Sequence, residues 1–269
     1  MPNSIEASTA TVKQRLEAGA SEQELAALIR QLAATNSPGV IRFDAYPLRK
    51  LAHDMAYDAA TLEPALVLSR ALTAALPDDA HAWAVRTIAE YLAKNYRDVI
   101  VTASRALAGG VEFKFILRAR AVALMERGEP RAALDDVLRA LALPGVSPTE
   151  DRVLEGLRAE AERAMRAIEA VQAMRDDLIA GRRSAADLFR RWSPFPLGVQ
   201  DIRDAERGTR VFAKDFEWTL RVSYAVAEVA YTELEQGRIV LAREVFAALA
   251  LVNSRDAYMQ TMLAACLAK

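Results

Sequence analysis

Two segments of this chain, beginning at residues 80 and 114, carry the same arrangement of apolar, small and turn-forming residues 34 positions apart. Trp83 in the first segment corresponds to Leu117 in the second, and Ala106 corresponds to Ala140. A repeat of this length constrains the fold strongly, because each copy is one supersecondary unit that must stack on a neighbour to bury its apolar face. The second copy shows the spacing most clearly, with Ala121, Gly128, Ala133, Val137 and Ala140.

The same spacing recurs near the C-terminus and has a mechanical reason. Two antiparallel helices approach closely only where small side chains meet, and a glycine permits the tight turn between them. The larger residue four positions after the second alanine then fills the space against the next pair. The C-terminal copy consists of Ala230, Gly237, Ala242, Phe246 and Leu249.

The remaining sequence also predicts helices. Apolar residues recur every three or four positions and strict alternation is absent, so we predict an all-α fold. Capping boxes begin at Ser21 and at Ser147, and the second has Pro148 at the first helical position. Glycines stand where we expect helices to end, namely Gly109, Gly110, Gly128, Gly181, Gly198 and Gly237.

The repeated pattern resembles the tetratricopeptide repeat, in which an aromatic and a small residue precede a glycine turn, A-x-x-x-F and a proline. Pro77 and Pro144 match that proline, and Ser254 replaces it in the last copy. The match covers residues 80–147 and 223–256 and is weaker over 46–79. The resemblance implies helical hairpins stacked as an α-solenoid; generic hairpins in an alanine-rich protein are the alternative.

The last copy resembles, more narrowly, the final repeats of the class II chaperones of type III secretion. The resemblance covers about 45 of the 269 residues. It implies a groove lined by tyrosines that holds an unfolded segment of a translocator, and it carries over only Tyr224, Tyr231 and Tyr258. The matching residues are Gly237, Ala242, Val245, Phe246, Ala248, Leu249, Asp256, Leu263, Ala265 and Cys266.

A long helix interrupts the repeats and sets the predicted domain boundaries. Residues 149–180 carry a nearly heptad stripe, which either packs on the neighbouring repeats, as we favour, or forms a dimer seam. The stripe consists of Leu154, Leu157, Ala161, Ala164, Ile168, Val171 and Leu178. We predict N-terminal helices over 1–45, a repeat array over 46–147, the long helix and a linker over 148–198, and a C-terminal repeat unit over 199–269.

The linker begins with an arginine-rich short helix that Ser184 caps and Pro194 and Pro196 stop. Its arginines and Trp192 raise the alternative of RNA contact through charge and stacking. Interleaved aspartates favour a solvated or internally paired face instead. The apolar segment 194–197 is either a plain helix stop or a pseudo-ligand in the protein's own groove.

Candidate chemistry is sparse in this sequence. The net charge of −1 gives no general attraction to nucleic acid or to an anionic membrane, and no apolar run reaches the length of a membrane span. His53, which we expect to pack internally, and His81 each lack a metal-binding partner one turn away. Cys266 lies in an apolar helix as a buried thiol. We therefore predict no enzyme activity, no cofactor, no metal and no nucleic acid partner. We expect the protein to be located in the bacterial cytoplasm.

The first helix of each repeat pair should line a concave binding surface, because side chains three or four apart share a face. Tyrosines on such a wall suit an extended or helical peptide, although ordinary packing between repeats is the alternative for each aromatic. The predicted groove residues are His81, Ala84, Ile88, Tyr91, Phe115, Arg118, Val122, Met125, Tyr224, Ala227, Tyr231, Leu234 and Tyr258.

These observations predict a non-catalytic protein-binding repeat protein. The expected partner is a secretion-system component or export substrate, bound by a chaperone, co-chaperone or assembly factor of type III secretion. One alternative is a structural adaptor that forms a homo-oligomer through residues 149–180. Another is a regulator that senses a protein partner.

Overall fold

The computed structural model describes residues 4–34, 44–144 and 148–268, and the regular secondary structure in these ranges is helical throughout, which confirms the all-α prediction. Capping bonds at Ser21 also agree with the sequence, since its amide donates to the Glu24 carboxylate at 2.8 Å. Ser147 lies outside the described residues. The helices are α1 (Ser4–Glu17), α2 (Glu22–Ala34), α3 (Tyr46–Ala56), α4 (Leu62–Ala75), α5 (Ala80–Leu92), α6 (Tyr96–Ala108), α7 (Lys114–Glu126), α8 (Pro130–Ala142), α9 (Pro148–Ile179), α10 (Ala185–Trp192), α11 (Val199–Glu206), α12 (Leu220–Glu235), α13 (Ile239–Val252) and α14 (Ala257–Leu267).

The helix starts recur with a fixed period. Helices α3, α5 and α7 begin at residues 46, 80 and 114, and α4, α6 and α8 begin at 62, 96 and 130, so each series advances by 34 residues. The step from α4 to α5 and from α6 to α7 is 18 residues, and the step from α13 to α14 is the same. The recurrence therefore includes residues 46–79, where the sequence match is weaker.

Consecutive helices pack as neighbours, and small residues lie where the sequence places them. Helices α3 and α4, α5 and α6, and α12 and α13 form such pairs. In the last pair Ala230 and Ala242 are fully buried, as a close helix crossing requires. Gly237 makes the turn between these helices at a φ of 78°, a conformation that glycine adopts without the clash of a Cβ atom.

The chain divides into two compact units, residues 1–123 and 124–269, and the division lies inside α7. We call them unit 1 and unit 2. In unit 1, helices α1 to α5 enclose one core that includes the fully or nearly fully buried Leu25, Ile29, Leu48, Leu68 and Leu72.

Helix α9 is the long helix that the sequence predicts, and its apolar stripe lies inside unit 2. The helix packs on α8, α10, α12 and α13. Six of the seven stripe residues are buried, and Ile168 is partly buried. The stripe therefore packs internally, as favoured, and its apolar side chains are not available for the dimer seam.

The linker packs within unit 2. Ser184 and Asp187 form the capping box of α10, and the segment after it places Phe195 against Phe216, with ring centroids 5.9 Å apart. Gly198 corrects one expectation, because it begins α11 and does not end a helix. Among the described residues, no helix combines the length and the hydropathy needed to cross a membrane.

Candidate protein-binding groove

A largely apolar groove of about 440 Å³ lies in unit 1 between α3, α5 and the start of α7. We call it the first-helix groove. It is open at the surface, since Tyr46 and Phe113 are 58% and 56% exposed. Its lining residues are Tyr46, Arg49, Lys50, His53, Asp54, His81, Ala84, Val85, Ile88, Phe113, Phe115 and Ile116.

The groove follows directly from helical periodicity. Helix α5 contributes residues 81, 84, 85 and 88, and α3 contributes the same spacing with 46, 49, 50 and 53. Side chains at i, i+3, i+4 and i+7 form one stripe along a helix. Because α3 and α5 begin 34 residues apart, equivalent turns of the two helices present their stripes to the same groove.

Four of the sequence-predicted groove residues come together here, namely His81, Ala84, Ile88 and Phe115. The contribution of α3 was missed, because the repeat match over 46–79 is weak. Subtracting 34 from positions 84 and 88 gives Lys50 and Asp54, so the period alone could have found them.

His53 is a correction, since we expected it to pack internally. Its side chain is 43% exposed and lines the groove, and its ring lies 5.1 Å from that of Tyr57. The buried face of α3 consists of Leu48, Ala52 and Ala56 instead. His53 lies on the opposite, open stripe of the helix.

The other predicted residues of α5 and α7 surround Phe115 or lie in the interior. The ring of Tyr91 contacts that of Phe115 edge-on at 5.6 Å, and the Arg118 guanidinium lies 5.0 Å from the same ring centroid. Both therefore orient Phe115 without lining the groove. Val122 and Met125 are 6% and 0% exposed, because α7 is almost entirely buried from residue 119 to 125 and leaves no open face there.

Charged groups at the groove margin are already paired. Asp79 caps α5 by accepting the amide of His81 at 3.0 Å, and it also accepts the Arg49 guanidinium at 2.5 Å. The Lys50 ammonium donates to Asp54 at 2.5 Å, which raises the pKa of Lys50 and lowers that of Asp54. The groove therefore offers an apolar floor with little uncompensated charge at its edge.

The three tyrosines predicted in unit 2 form a second aromatic surface. Tyr224 and Tyr258 meet edge-on with ring centroids 5.6 Å apart, because the Asp256 cap starts α14 beside α12. Tyr231 and Tyr258 are 37% and 42% exposed, whereas Ala227 and Leu234 are buried beneath this surface. Of the predicted residues of α12 and α14, the tyrosines are thus accessible, and Ala227 and Leu234 are not.

Burial and acidic neighbours raise the pKa of all three phenols. Burial, then Asp256 and Glu126, raise the pKa of Tyr224, and burial followed by Glu228 raises the pKa of Tyr258. The carboxylate of Glu235 beside the Tyr231 hydroxyl raises the pKa of that residue. Tyrosine hydroxyls are protonated at physiological pH, so those of Tyr224 and Tyr258 can donate hydrogen bonds to a bound backbone, whereas that of Tyr231 already bonds to Glu235.

No protein-family model matches this chain, and a search of curated proteins finds no relative. Its function must therefore be inferred from its own geometry. Within the described ranges, no three His, Cys, Asp or Glu side chains converge as metal ligands do. Cys266 is buried, as predicted.

Proposed function

We propose that this protein binds a segment of another protein in the first-helix groove and performs no catalysis. One observation carries the proposal: His81, Ala84, Ile88 and Phe115, selected from their positions in the repeats, line a single open groove. Such grooves bind extended or helical peptides through apolar anchors. Because Arg49 and Lys50 already have carboxylate partners, the inserted side chains of the bound segment are expected to be apolar.

Two observations support a narrower identity for this binding protein. The 34-residue recurrence of helix starts supports assignment to the tetratricopeptide repeats. The motif from Gly237 to Cys266, with the adjacent Tyr224, Tyr231 and Tyr258, supports a chaperone, co-chaperone or assembly factor of bacterial type III secretion in the cytoplasm. The scaffold alternative is less favoured, since the stripe of α9 that it requires is buried.

A charge placed in the groove should weaken partner binding. Phe113→Glu puts a carboxylate on the apolar wall, whereas Val101→Glu makes a similar change on α6, away from the groove; the two positions are 56% and 55% exposed. We expect Phe113→Glu to weaken binding at least tenfold, because burying an unpaired carboxylate against apolar side chains is strongly unfavourable. Affinity purification from the native host, with mass spectrometry, identifies the partner, and titration with that purified partner measures the effect.

The proposal requires that Val101→Glu retain the partner and that both variants remain helical by circular dichroism. Equal retention by Phe113→Glu and the unmodified protein would show that the groove is not the binding site. In that case Tyr231→Glu tests the tyrosine surface of unit 2 separately.

A further inference from the structure

A second cavity, of about 480 Å³, lies in unit 2 between α9, α10 and the turn that precedes α12. We call it the arginine–tryptophan pocket. Its volume is in the range of about 300–1,000 Å³ that is typical of small-molecule sites. The residues that matter here are Arg163, Arg166, Arg191, Trp192, Glu217 and Trp218.

The pocket presents two positive charges without compensation. Arg163 forms an ion pair with Glu217, and the nearby Asp215 accepts Arg210 at 2.8 Å. The exposed guanidinium groups of Arg166 and Arg191 have no carboxylate within ion-pair distance among the described residues. They come from two different helices, α9 and α10, and line the same cavity.

Other arginines of the linker are paired within the chain, as the interleaved aspartates predict. Arg182 pairs with Asp177 at 2.6 Å, and Arg190 pairs with Asp187 at 3.4 Å. Trp192 is only 8% exposed and lines the cavity, so it does not form an open surface on which the bases of an RNA strand could stack. The positive charge of Arg191 is therefore better suited to a ligand inside the pocket.

An aromatic wall stands beside the two free guanidinium groups. The indole rings of Trp192 and Trp218 lie 5.1 Å apart, and Phe216 packs on Trp218 at 6.3 Å. The Trp192 N–H donates to the Ala167 carbonyl at 3.1 Å, which fixes this ring on α9. The Trp218 N–H has no acceptor in the described part of the chain, so it can donate to a ligand.

The backbone at this wall is held in an uncommon conformation. Glu217 has a φ of 53°, in the left-handed region that side chains other than glycine seldom adopt. The turn is fixed by the Trp218 amide, which donates to the Ala213 carbonyl at 2.7 Å. It directs Glu217 to Arg163 and leaves Arg166 and Arg191 free. Such outliers are concentrated at ligand sites.

We propose that the arginine–tryptophan pocket binds a small molecule in which a carboxylate or phosphate group is attached to an apolar or aromatic body. Arg166 and Arg191 hold the anion, because the planar guanidinium matches the oxygens of either group with paired hydrogen bonds. The indole wall receives the apolar body. This site does not depend on the first-helix groove, and its test does not depend on the proposed function.

The test uses phenyl phosphate and benzoate as probes, with benzyl alcohol as the neutral control and inorganic phosphate as the control without an apolar body. Trp192 and Trp218 line the pocket, so tryptophan fluorescence reports occupancy, and isothermal titration calorimetry gives the affinity. We expect saturable binding of phenyl phosphate, benzoate or both, and at least tenfold weaker binding of either control. The stronger of the two probes identifies the anionic group.

Substitutions then test the assigned arginines. The double variant Arg166→Gln/Arg191→Gln should bind the probes at least tenfold more weakly, because each lost group removes charge-assisted hydrogen bonds. The matched variant Arg183→Gln/Arg203→Gln alters two arginines that do not line the pocket and should bind like the unmodified protein. Circular dichroism checks that both variants fold. The proposal is overturned if neither probe saturates, if a control binds equally well, or if the first double variant keeps full affinity.

Discussion

Glu90→Ala is expected to lower the free energy of unfolding by about 3–5 kcal/mol, the cost of removing one partner from a buried ion pair. The Glu90 side chain is fully buried on α5. It accepts two hydrogen bonds from Arg70 of α4, at 2.9 and 3.2 Å, and one from Asn95 at the start of α6, at 2.7 Å. Arg86 lies 3.4 Å away. One carboxylate thus joins three consecutive helices.

This network also predicts acid sensitivity. Burial acts to raise the pKa of Glu90, but the hydrogen bonds from Arg70 and Asn95 outweigh it, and the pKa lies below its ordinary value of 4.5. A lowered folded-state pKa means that the ionised carboxylate contributes its full stability above about pH 4.5 and loses it as the pH falls through the folded value. Glu90→Gln removes the ionisable group and with it this part of the pH dependence.

Urea denaturation at pH 7 and at a series of lower pH values measures both effects. Glu63→Ala is the matched control, since Glu63 is exposed on α4. This substitution should change the free energy of unfolding by no more than about 0.5 kcal/mol. Equal losses for Glu90→Ala and Glu63→Ala would contradict the network, as would an unchanged acid transition in Glu90→Gln.

Phe189→Ala is expected to destabilise unit 2 by about 3–5 kcal/mol, as truncation of a buried phenylalanine does. Phe189 is fully buried in α10; its ring stacks on Phe216 at 5.3 Å and meets Phe212 edge-on at 5.2 Å. The substitution leaves a cavity between the short helix and the loop that forms the aromatic wall. The same loop carries Trp218, so tryptophan fluorescence in a urea titration follows the loss.

Phe195→Ala is the control for that substitution. Phe195 is only partly buried and contacts Phe216 at 5.9 Å. Phe195→Ala should lower the free energy of unfolding by less than half as much as Phe189→Ala, because less apolar surface returns to water. Similar losses at both positions would mean that α10 is not anchored through Phe189.

Local signals in the sequence were sufficient for the helices and their period. The caps at Ser21 and Ser184 and the small residues Ala230 and Ala242 act over one helix or one pair, so spacing along the chain reveals them. The burial of the α9 stripe was also predictable from its periodicity. These features depend on neighbours within a few turns.

Features that depend on convergence in space were not predictable. In the sequence, nothing distinguishes Glu90 from the glutamates that lie at the surface. Its role depends on Arg70 and Asn95, which the packing of α4 and α6 brings into hydrogen-bond distance. Val122 and Met125 have the helical phase of groove residues, but their burial depends on what packs around α7. His53 was misassigned for the opposite reason, since among the described residues its stripe of α3 lines an open groove and its side chain is 43% exposed.

Site-specific photo-crosslinking in the native host tests whether the first-helix groove contacts a partner protein. A photoreactive phenylalanine analogue replaces Tyr46, which lines the groove and is 58% exposed, or Val101 on α6, which is 55% exposed and lies outside it. We expect one major protein adduct from position 46 and none from position 101. No adduct from position 46, or the same adducts from both positions, would contradict it.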